Sequence, residues 1–414
     1  MGREPKKLTN CRICGGAELT AILDLGIQAL TGIFPKSVDA SITSGPLILV
    51  KCTAEQGCGL LQLAHSYDLE EMYGENYGYR SGLNASMVAH LRAKVDRIKS
   101  YGVIDDGAII LDIGSNDGTT LGLYGLENVR LVGIDPTAAK FRQYYQDGVV
   151  VIADFFSADR FREAFGEQKA RVITSFSMFY DMEDPTGFMR EVSEILDETK
   201  GIWVCEQSYM PLMLETNSYD TACHEHLEYY ALAQIVWMAR HAGLEIVDVE
   251  LNAVNGGSFS FVAQRVGGGL ARTAAVDELL AREQALRLDD LGIYRKFAAD
   301  VVRLRDEFVA FLHKAKAEGK RVAALGASTK GNVLLQYCNV TRDLIEAVGE
   351  VNPDKFGAFT PGTNLPIIDE TELLASKPDY LVVLPWHFRG FFESQPRYAG
   401  LSLVFPLPEL SVGK

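Results

Sequence analysis

At 414 residues the chain is too long for one ordinary core and is expected to divide into two or three domains. Its 47% hydrophobic and 23% charged residues fit a soluble globular protein, and a formal net charge of −15 argues against a broad nucleic-acid or anionic-membrane surface. No apolar run is long enough to span a bilayer, and MGREPKKLTN lacks the apolar core of a secretion signal, so a cytoplasmic protein is expected.

Residues 1–67 are short, loop-rich and hold four of the seven cysteines. Cys11 and Cys14 form a C-x-x-C pair with glycines just beyond it; Cys52 and Cys58 follow the extended run GPLILVKC. In a reducing compartment two thiolate pairs on two turns read as a tetrahedral Cys₄ zinc site, closed to substrate and therefore structural. A segment this small builds little core of its own, which is a further reason for a metal.

Residues 68–267 alternate strands and helices. AIILDIG (108–114), VRLVGID (129–135), GVVVIAD (148–154), ARVITSFS (170–177) and KGIWVCEQ (200–207) read as strands. LEIVDVEL (244–251) and GSFSFVAQRV (257–266) close the series as an antiparallel pair. Such βα alternation means a doubly wound α/β sheet with ligands at the carboxyl ends of its strands. Stretches 268–294 and 295–318 read as long helices, and KRVAALGA (320–327) opens a second α/β unit within residues 268–414.

The first strand runs into Asp112-x-Gly114-x-x-x-Gly118, which is not the Gly-x-Gly-x-x-Gly of dinucleotide sites. Asp135 ends the next strand about twenty residues on, where a carboxylate suits the two hydroxyls of a ribose. Asp112, Ser115 and Asn116 suit an amino-acid end with ammonium and carboxylate. A nucleoside joined to an amino acid describes S-adenosylmethionine. These positions resemble the class I methyltransferases. That resemblance also places Asp154 near an adenine amine and Ser175 near the end of the fourth strand.

After the fifth strand, Cys223-His224-Glu225-His226 precedes Tyr229 and Tyr230. Three readings stand: a metal site, disfavoured because a helical zinc pair needs i, i+4 spacing; two histidines packed at the start of the following helix; or one imidazole acting as a general base near neutral pH. In the C-terminal unit GASTKGN (326–332) follows a strand, and Ser328, Lys330, Asn332 and the amides of a helix start suit an anion. Lys355 and Arg389 are weaker phosphate candidates.

Taken together, CRICGG, MYGENYGYRSG, LDIGSNDG, SMFYDMEDP, EQSY, CHEHLEYY, NGGSF, GASTKGN, NPDKFG and TPGT resemble the nucleotide-sugar C-methyltransferases of deoxysugar biosynthesis across nearly the whole chain. The resemblance implies a zinc domain, a class I methyltransferase domain and a Rossmann-like C-terminal domain. It implies methylation of a TDP-linked 4-keto-deoxyhexose, with C-3 favoured. It makes His226 the base, with Glu225, His224 and Tyr77 as further catalytic candidates. Tyr79, Asp181 and Cys223 become sugar contacts, and Ser328, Lys330 and Asn332 hold the pyrophosphate. Two positions depart from the family: Cys223 stands where many relatives have tyrosine, and Phe179-Tyr180-Asp181 where several have histidine. The expected partner is the keto-sugar nucleotide, not nucleic acid or membrane, with the chain a monomer or weak homo-oligomer. An O- or N-methyltransferase and a non-catalytic zinc-ribbon/Rossmann interaction protein are the competing readings.

Overall fold

The computed structural model describes residues 5–68, 72 and 80–413. Tyr77 and Tyr79 lie outside the described residues.

The N-terminal sheet is antiparallel. It sets β1 (Leu19–Ala29), β2 (Ser44–Cys52) and β3 (Leu61–Leu63) side by side. Its last strand, Glu228–Tyr229, comes from far along the chain and pairs with Gln62 and Leu61. The zinc-ribbon segment and the residues after His226 are therefore one sheet.

The central sheet contains β4 (Ile109–Ile113), β5 (Arg130–Ile134), β6 (Val150–Ile152), β7 (Val172–Phe176), β8 (Ile202–Ser208), β9 (Leu244–Asn252) and β10 (Ser258–Arg265). Their order is β9-β10-β8-β7-β4-β5-β6, parallel throughout except for β10. A dinucleotide fold would continue 3-2-1-4-5-6. Here the last strand is inserted antiparallel between the fifth and sixth, which is the class I methyltransferase arrangement. All five residues of β4 are buried, as befits a parallel strand covered on both faces.

The third sheet is made of β11 (Val322–Leu325), β12 (Val348–Glu350), β13 (Ile367–Asp369), β14 (Tyr380–Val383), β15 (Leu403–Phe405) and the antiparallel edge β16 (Ser411–Val412). Its order β13-β12-β11-β14-β15-β16 is that of a Rossmann fold.

Five helices matter for the site: α1 (Ala85–Ser100), α2 (Leu232–His241), α3 (Ala274–Ala285), α4 (Leu291–Ala317) and α5 (Thr329–Tyr337). The two helices expected to meet at 294/295 instead part between Leu286 and Asp290. Arg287 there takes a positive φ of 55°, and Asp290 caps α4 by accepting from the Gly292 N–H at 2.7 Å. Buried Glu283 on α3 caps α2 in turn, accepting from the N–H groups of Leu232 (2.7 Å) and Ala233 (3.0 Å) and from Tyr209 Oη (2.9 Å). Helix α1 is pinned across the carboxyl end of β8. Lys94 Nζ and His90 Nε2 reach Glu206 at 2.6 and 2.5 Å, and Asn252 Nδ2 donates to the same carboxylate at 2.8 Å. Those partners hold the Glu206 carboxyl below its usual range against the opposing effect of burial. Among the described residues no helix is long and apolar enough to cross a membrane.

Candidate active site and zinc centre

The four early cysteines converge. Cys11 and Cys58 stand 3.5 Å apart sulfur to sulfur, Cys14 and Cys52 3.6 Å, and all four sulfurs lie within 4.8 Å of one another. Zn–S bonds of about 2.3 Å in a tetrahedron put sulfurs about 3.8 Å apart, so the set fits zinc. The first turn is closed by Cys11 N–H to Gly16 O and Gly15 N–H to Cys11 O, with Gly15 at φ +71°. A Cβ on Gly57 would sit 2.7 Å from Cys52 Sγ, so the wider Cys52–Cys58 loop closes because glycine stands there. Beneath the cluster, the Lys51 side chain is buried, donates to Gly59 O at 2.8 Å and lies 4.7 Å from the Tyr294 ring centroid on α4. Among the described residues these cysteines are the only His/Cys/Asp/Glu group positioned to hold a metal.

At the carboxyl end of β4 the chain turns through Gly114 (φ 72°), Asn116 (φ 51°) and Gly118 (φ 74°). A Cβ on Gly118 would meet the Tyr145 ring at 2.7 Å, so the loop needs glycine there twice over. Tyr145 Oη donates to Asn116 O at 2.8 Å and so accepts from Ser115 Oγ at 2.7 Å. Asp135 accepts from the Asn116 N–H at 2.8 Å and from the N–H and hydroxyl of Thr137, both at 2.6 Å. Glycine loop and second-strand carboxylate are thus one unit. Asp112 lies behind them, 2% exposed, accepting from Thr174 Oγ1 at 2.5 Å; burial raises its carboxyl to about 7. Over the loop lies Arg80-Ser81-Gly82. Ser81 N–H donates to Asn116 Oδ1 and Gly82 N–H to Asp117 Oδ2, both at 3.0 Å. Loop glycines, polar amides and a strand-end acid fit S-adenosylmethionine. Replacing Asp135 with Ala should weaken its binding about 10- to 100-fold, since a hydrogen bond to a charged group contributes about 1.5–3 kcal/mol. Calorimetric titration would measure this, and an unchanged affinity would remove Asp135 from the site.

Two cofactor candidates stand elsewhere. Ser175 is fully buried with its Oγ accepting from the Trp203 indole at 2.8 Å, so it belongs to the sheet's packed face and not to the loop. Asp154 is half-exposed and paired with Arg160 at 2.9 Å, beside Phe155, an exposed aromatic at the end of β6 that the sequence reading passed over.

The His-Glu-His segment is a turn, with His226 N–H bonded to Cys223 O at 3.1 Å, and the next helix starts only at Leu232. It is stitched on both sides: Leu63 N–H donates to Leu227 O, and Leu227 N–H to Tyr180 O, each at 2.8 Å. Arg12, inside the first cysteine pair, donates to Leu63 O at 2.7 Å and lies 3.5 Å from buried Glu228.

The three acid–base candidates differ in setting. His224 is fully buried edge-on against Tyr67, ring centroids 4.6 Å apart, and burial lowers its pKa to about 4. It is a packing residue, not a catalytic one, because nothing in a cleft can touch it. Glu225 is half-buried, its Oε2 without a hydrogen-bond partner, and burial raises its carboxyl. Its Oε1 would lie 2.2 Å from a Cβ on Gly32, with Thr329 Oγ1 3.8 Å from the same point. Gly32→Ala must therefore displace Glu225. Activity should fall at least about 10-fold, since a misplacement of about 1 Å costs about 10². Adenosylmethionine affinity should not change, and unaltered turnover would show that Glu225 needs no fixed position. His226 is half-buried against Tyr180 (centroids 4.1 Å), with Nδ1 3.0 Å from Thr221 O. A carbonyl only accepts, so Nδ1 carries the proton and Nε2 is left as a basic lone pair. Burial, and then the Lys330 cation, lower the His226 pKa to about 3, so the ring is neutral at working pH.

Cys223 is 1% exposed, its thiol raised by burial and directed at Glu225, so it braces that carboxylate instead of meeting substrate. Asp181 is 7% exposed among Glu228, Tyr229 and Cys223. In the C-terminal domain Ser328 Oγ is occupied as the α5 cap, accepting from Gly331 N–H at 3.1 Å. Asn332, fully buried, donates to Thr31 O at 2.7 Å; Gln336, one turn on, exchanges two bonds with the Ala29 backbone, at 2.7 and 3.1 Å. Asn332 thus docks the N-terminal domain and does not face a pyrophosphate. Lys330 leaves the helix start to donate to Asn255 O at 2.7 Å. Lys355 braces Ala327 O at 2.7 Å, and Arg389 pairs with Glu393 at 2.7 Å.

Three residues that no motif announced gather beside Lys330. Trp386 Nε1 donates to buried Asp220 at 2.8 Å, and His387 meets Trp386 edge-on and Phe388 at a tilt. A Cβ on Gly256 would lie 3.7 Å from His387 Cβ and 4.0 Å from Lys330 Nζ. For Trp386 and His387 the signal in the sequence is a run of rings directly after a strand, DYLVVLPWHF; Asp220 has none.

Comparison with known proteins divides the chain among three matched domains. Residues 11–73 match a zinc binding domain, 84–249 a methyltransferase domain and 253–408 a C-methyltransferase C-terminal domain. The chain is 28% identical over 98% of its length, and 96% of the relative's, to C-methyltransferase NovU of Streptomyces niveus. Among solved structures, the CcbJ methyltransferase from Streptomyces caelestis is 15% identical over 42% of this chain and 94% of that one, TM-score 0.33. The magnesium protoporphyrin IX methyltransferase of Synechocystis PCC 6803, solved with bound SAM, is 11% identical over 44% of this chain and 78% of that one, TM-score 0.31. With its zinc-binding segment, class I sheet and C-terminal domain all matched, the chain belongs to the S-adenosylmethionine-dependent C-methyltransferases of this three-domain build.

Proposed function

We propose that the enzyme methylates the carbon next to the ketone of a nucleotide-linked 4-keto-deoxysugar, TDP-linked and at C-3 by preference, with His226 as the base. The chain is read as dividing near residues 67 and 267, with the sugar nucleotide held where the three parts meet. The observation that carries this reading is the His226 tautomer. An imidazole whose Nδ1–H is committed to Thr221 O leaves Nε2 as an acceptor, with Glu225 beside it in the same turn and the Lys330 cation, which also acts on His387, close enough to act on it.

A carbon beside a ketone is too weak an acid to ionise unaided, so base and charge stabilisation must act together. The bound cofactor supplies an electrophilic methyl. The chain's own residues hold the sugar, remove the proton and keep water out. Asp135 and the Gly114–Gly118 loop support cofactor binding, with Phe155 offering an apolar face for adenine. Half-buried Glu225, with an unpaired oxygen, is suited to accept from sugar hydroxyls. O- and N-methylation remove no carbon-bound hydrogen and form no enolate.

The test is incubation with TDP-, GDP- and CDP-linked 4-keto-sugars in deuterated water, read by mass spectrometry for methyl gain and for exchange of the carbon-bound hydrogen. Exchange with the keto-sugar before any cofactor is added would support the reading. A methyl found on oxygen or nitrogen would end it.

A further inference from the structure

We propose that Lys330 is the cation that stabilises the ketone oxygen as it gains negative charge, and not a ligand of the pyrophosphate. This rests on the keto-sugar reading above and assigns a second catalytic group within it.

The argument begins with direction. A lysine opening a helix after a Gly-rich strand end would ordinarily lie across the helix N-terminus, where backbone amides also meet an anion. Here the side chain turns away, and its Nζ is fixed by Asn255 O at 2.7 Å, in the loop between β9 and β10. The amide of Gly331 at that helix start is already engaged by Ser328 Oγ, and the Asn332 amide by Ser328 O. The ammonium thus leaves the phosphate-like position for the side of the cleft that holds the imidazoles.

Its neighbours define what it meets there. His387 and Lys330 flank Gly256, and Trp386, next to His387, fixes the buried Asp220 carboxylate. The residue after Asp220 is Thr221, whose carbonyl orients His226. The base is thus oriented by the residue that follows Asp220, the carboxylate that acts electrostatically on the Lys330 cation. Their electrostatic contact agrees: after burial, Lys330 is the next cause lowering the pKa of both His226 and His387. Burial lowers that of Lys330 itself, with Asp220 and Cys223 opposing.

In the step this serves, His226 Nε2 takes the proton from carbon, the C–H pair becomes the C=C bond, and the carbonyl π pair moves to oxygen. Lys330 stays protonated and pairs with that oxygen. A desolvated, preplaced cation acts strongly on charge that appears only in the transition state.

The experiment uses full-length Lys330→Met and Lys330→Arg, checked for unchanged adenosylmethionine affinity as a sign of an intact fold. Hydrogen–deuterium exchange is measured at saturating keto-sugar nucleotide without cofactor, and TDP affinity by calorimetry. Lys330→Met should lose exchange by about 10²–10³, Lys330→Arg should recover part of it, and TDP should bind both variants within about twofold of wild type. A tenfold or greater loss of TDP affinity would return Lys330 to the pyrophosphate, and unchanged exchange would remove it from the chemistry; either result overturns the proposal. Wild-type enzyme that exchanges no keto-sugar would overturn the parent reading and this one with it, before any variant is needed.

Discussion

Replacing His226 with Asn is expected to abolish useful turnover, by about 10²–10⁴ in kcat, because proton transfer by a positioned base contributes that much. Asparagine can still donate to Thr221 O, so the turn should survive and cofactor affinity should stay where it was. The pH profile makes the test sharper. Tyr180 packs on the imidazole with ring centroids 4.1 Å apart, and Lys330 is the charged group that acts on it. Burial and the neighbouring cation hold its pKa at about 3, well below the ordinary histidine value. A base is lost when it protonates, so a depressed pKa moves the acid limb downward. Wild-type activity should therefore not fall through an ionisation near 6.5 that belongs to His226. Lys330→Met lifts part of the depression, and its residual activity should begin to fall at a higher pH than wild type. An undiminished rate in His226→Asn would mean that some other group takes the proton.

Losing the zinc should have an effect of comparable size by another route. Structural zinc contributes about 10–16 kcal/mol of folding free energy in zinc-finger peptides, more than a segment of this size can replace with core. Cys11→Ser, or exhaustive chelation, should lower the unfolding midpoint and release about one zinc per chain. Methyl transfer should go with it. The Cys11–Cys14 turn carries Arg12, which reaches Leu63 O and Glu228, and β3 holds Leu227 beside the base. Cofactor binding in the central sheet should outlast the loss. Metal-free protein with full activity and an unshifted midpoint would reject the zinc-centre role.

The parts of this molecule that the sequence displays are those where one physical requirement dominates. Cys11-x-x-Cys14 is spaced for a metal, and Asp135 ends a strand at ribose distance from the Gly114 loop; both are local in the chain. Ser175 shows where that logic stops. Strands buried on both faces have no apolar–polar alternation, so nothing in ARVITSFS says that Thr174 reaches Asp112 while Ser175 lies under Trp203. The helix break at Arg287 was hidden for a similar reason, since one residue in the left-handed region leaves no mark in a charged, helix-favouring stretch. Lys330 was read from its motif, but its direction is set by Asn255, seventy-five residues away. Asp220, Trp386 and His387 meet only through folding, across 166 residues in the case of the Trp386–Asp220 bond.

The two amides of α5 grip the chain at Ala29 and Thr31 through main-chain atoms alone. Contacts of that kind are indifferent to side-chain identity. Thr31, fully buried with its side chain toward Glu225, can change that side chain and still offer its carbonyl to Asn332. Replacements of similar size at this position should therefore alter the surroundings of Glu225 while the N-terminal and C-terminal segments stay fastened.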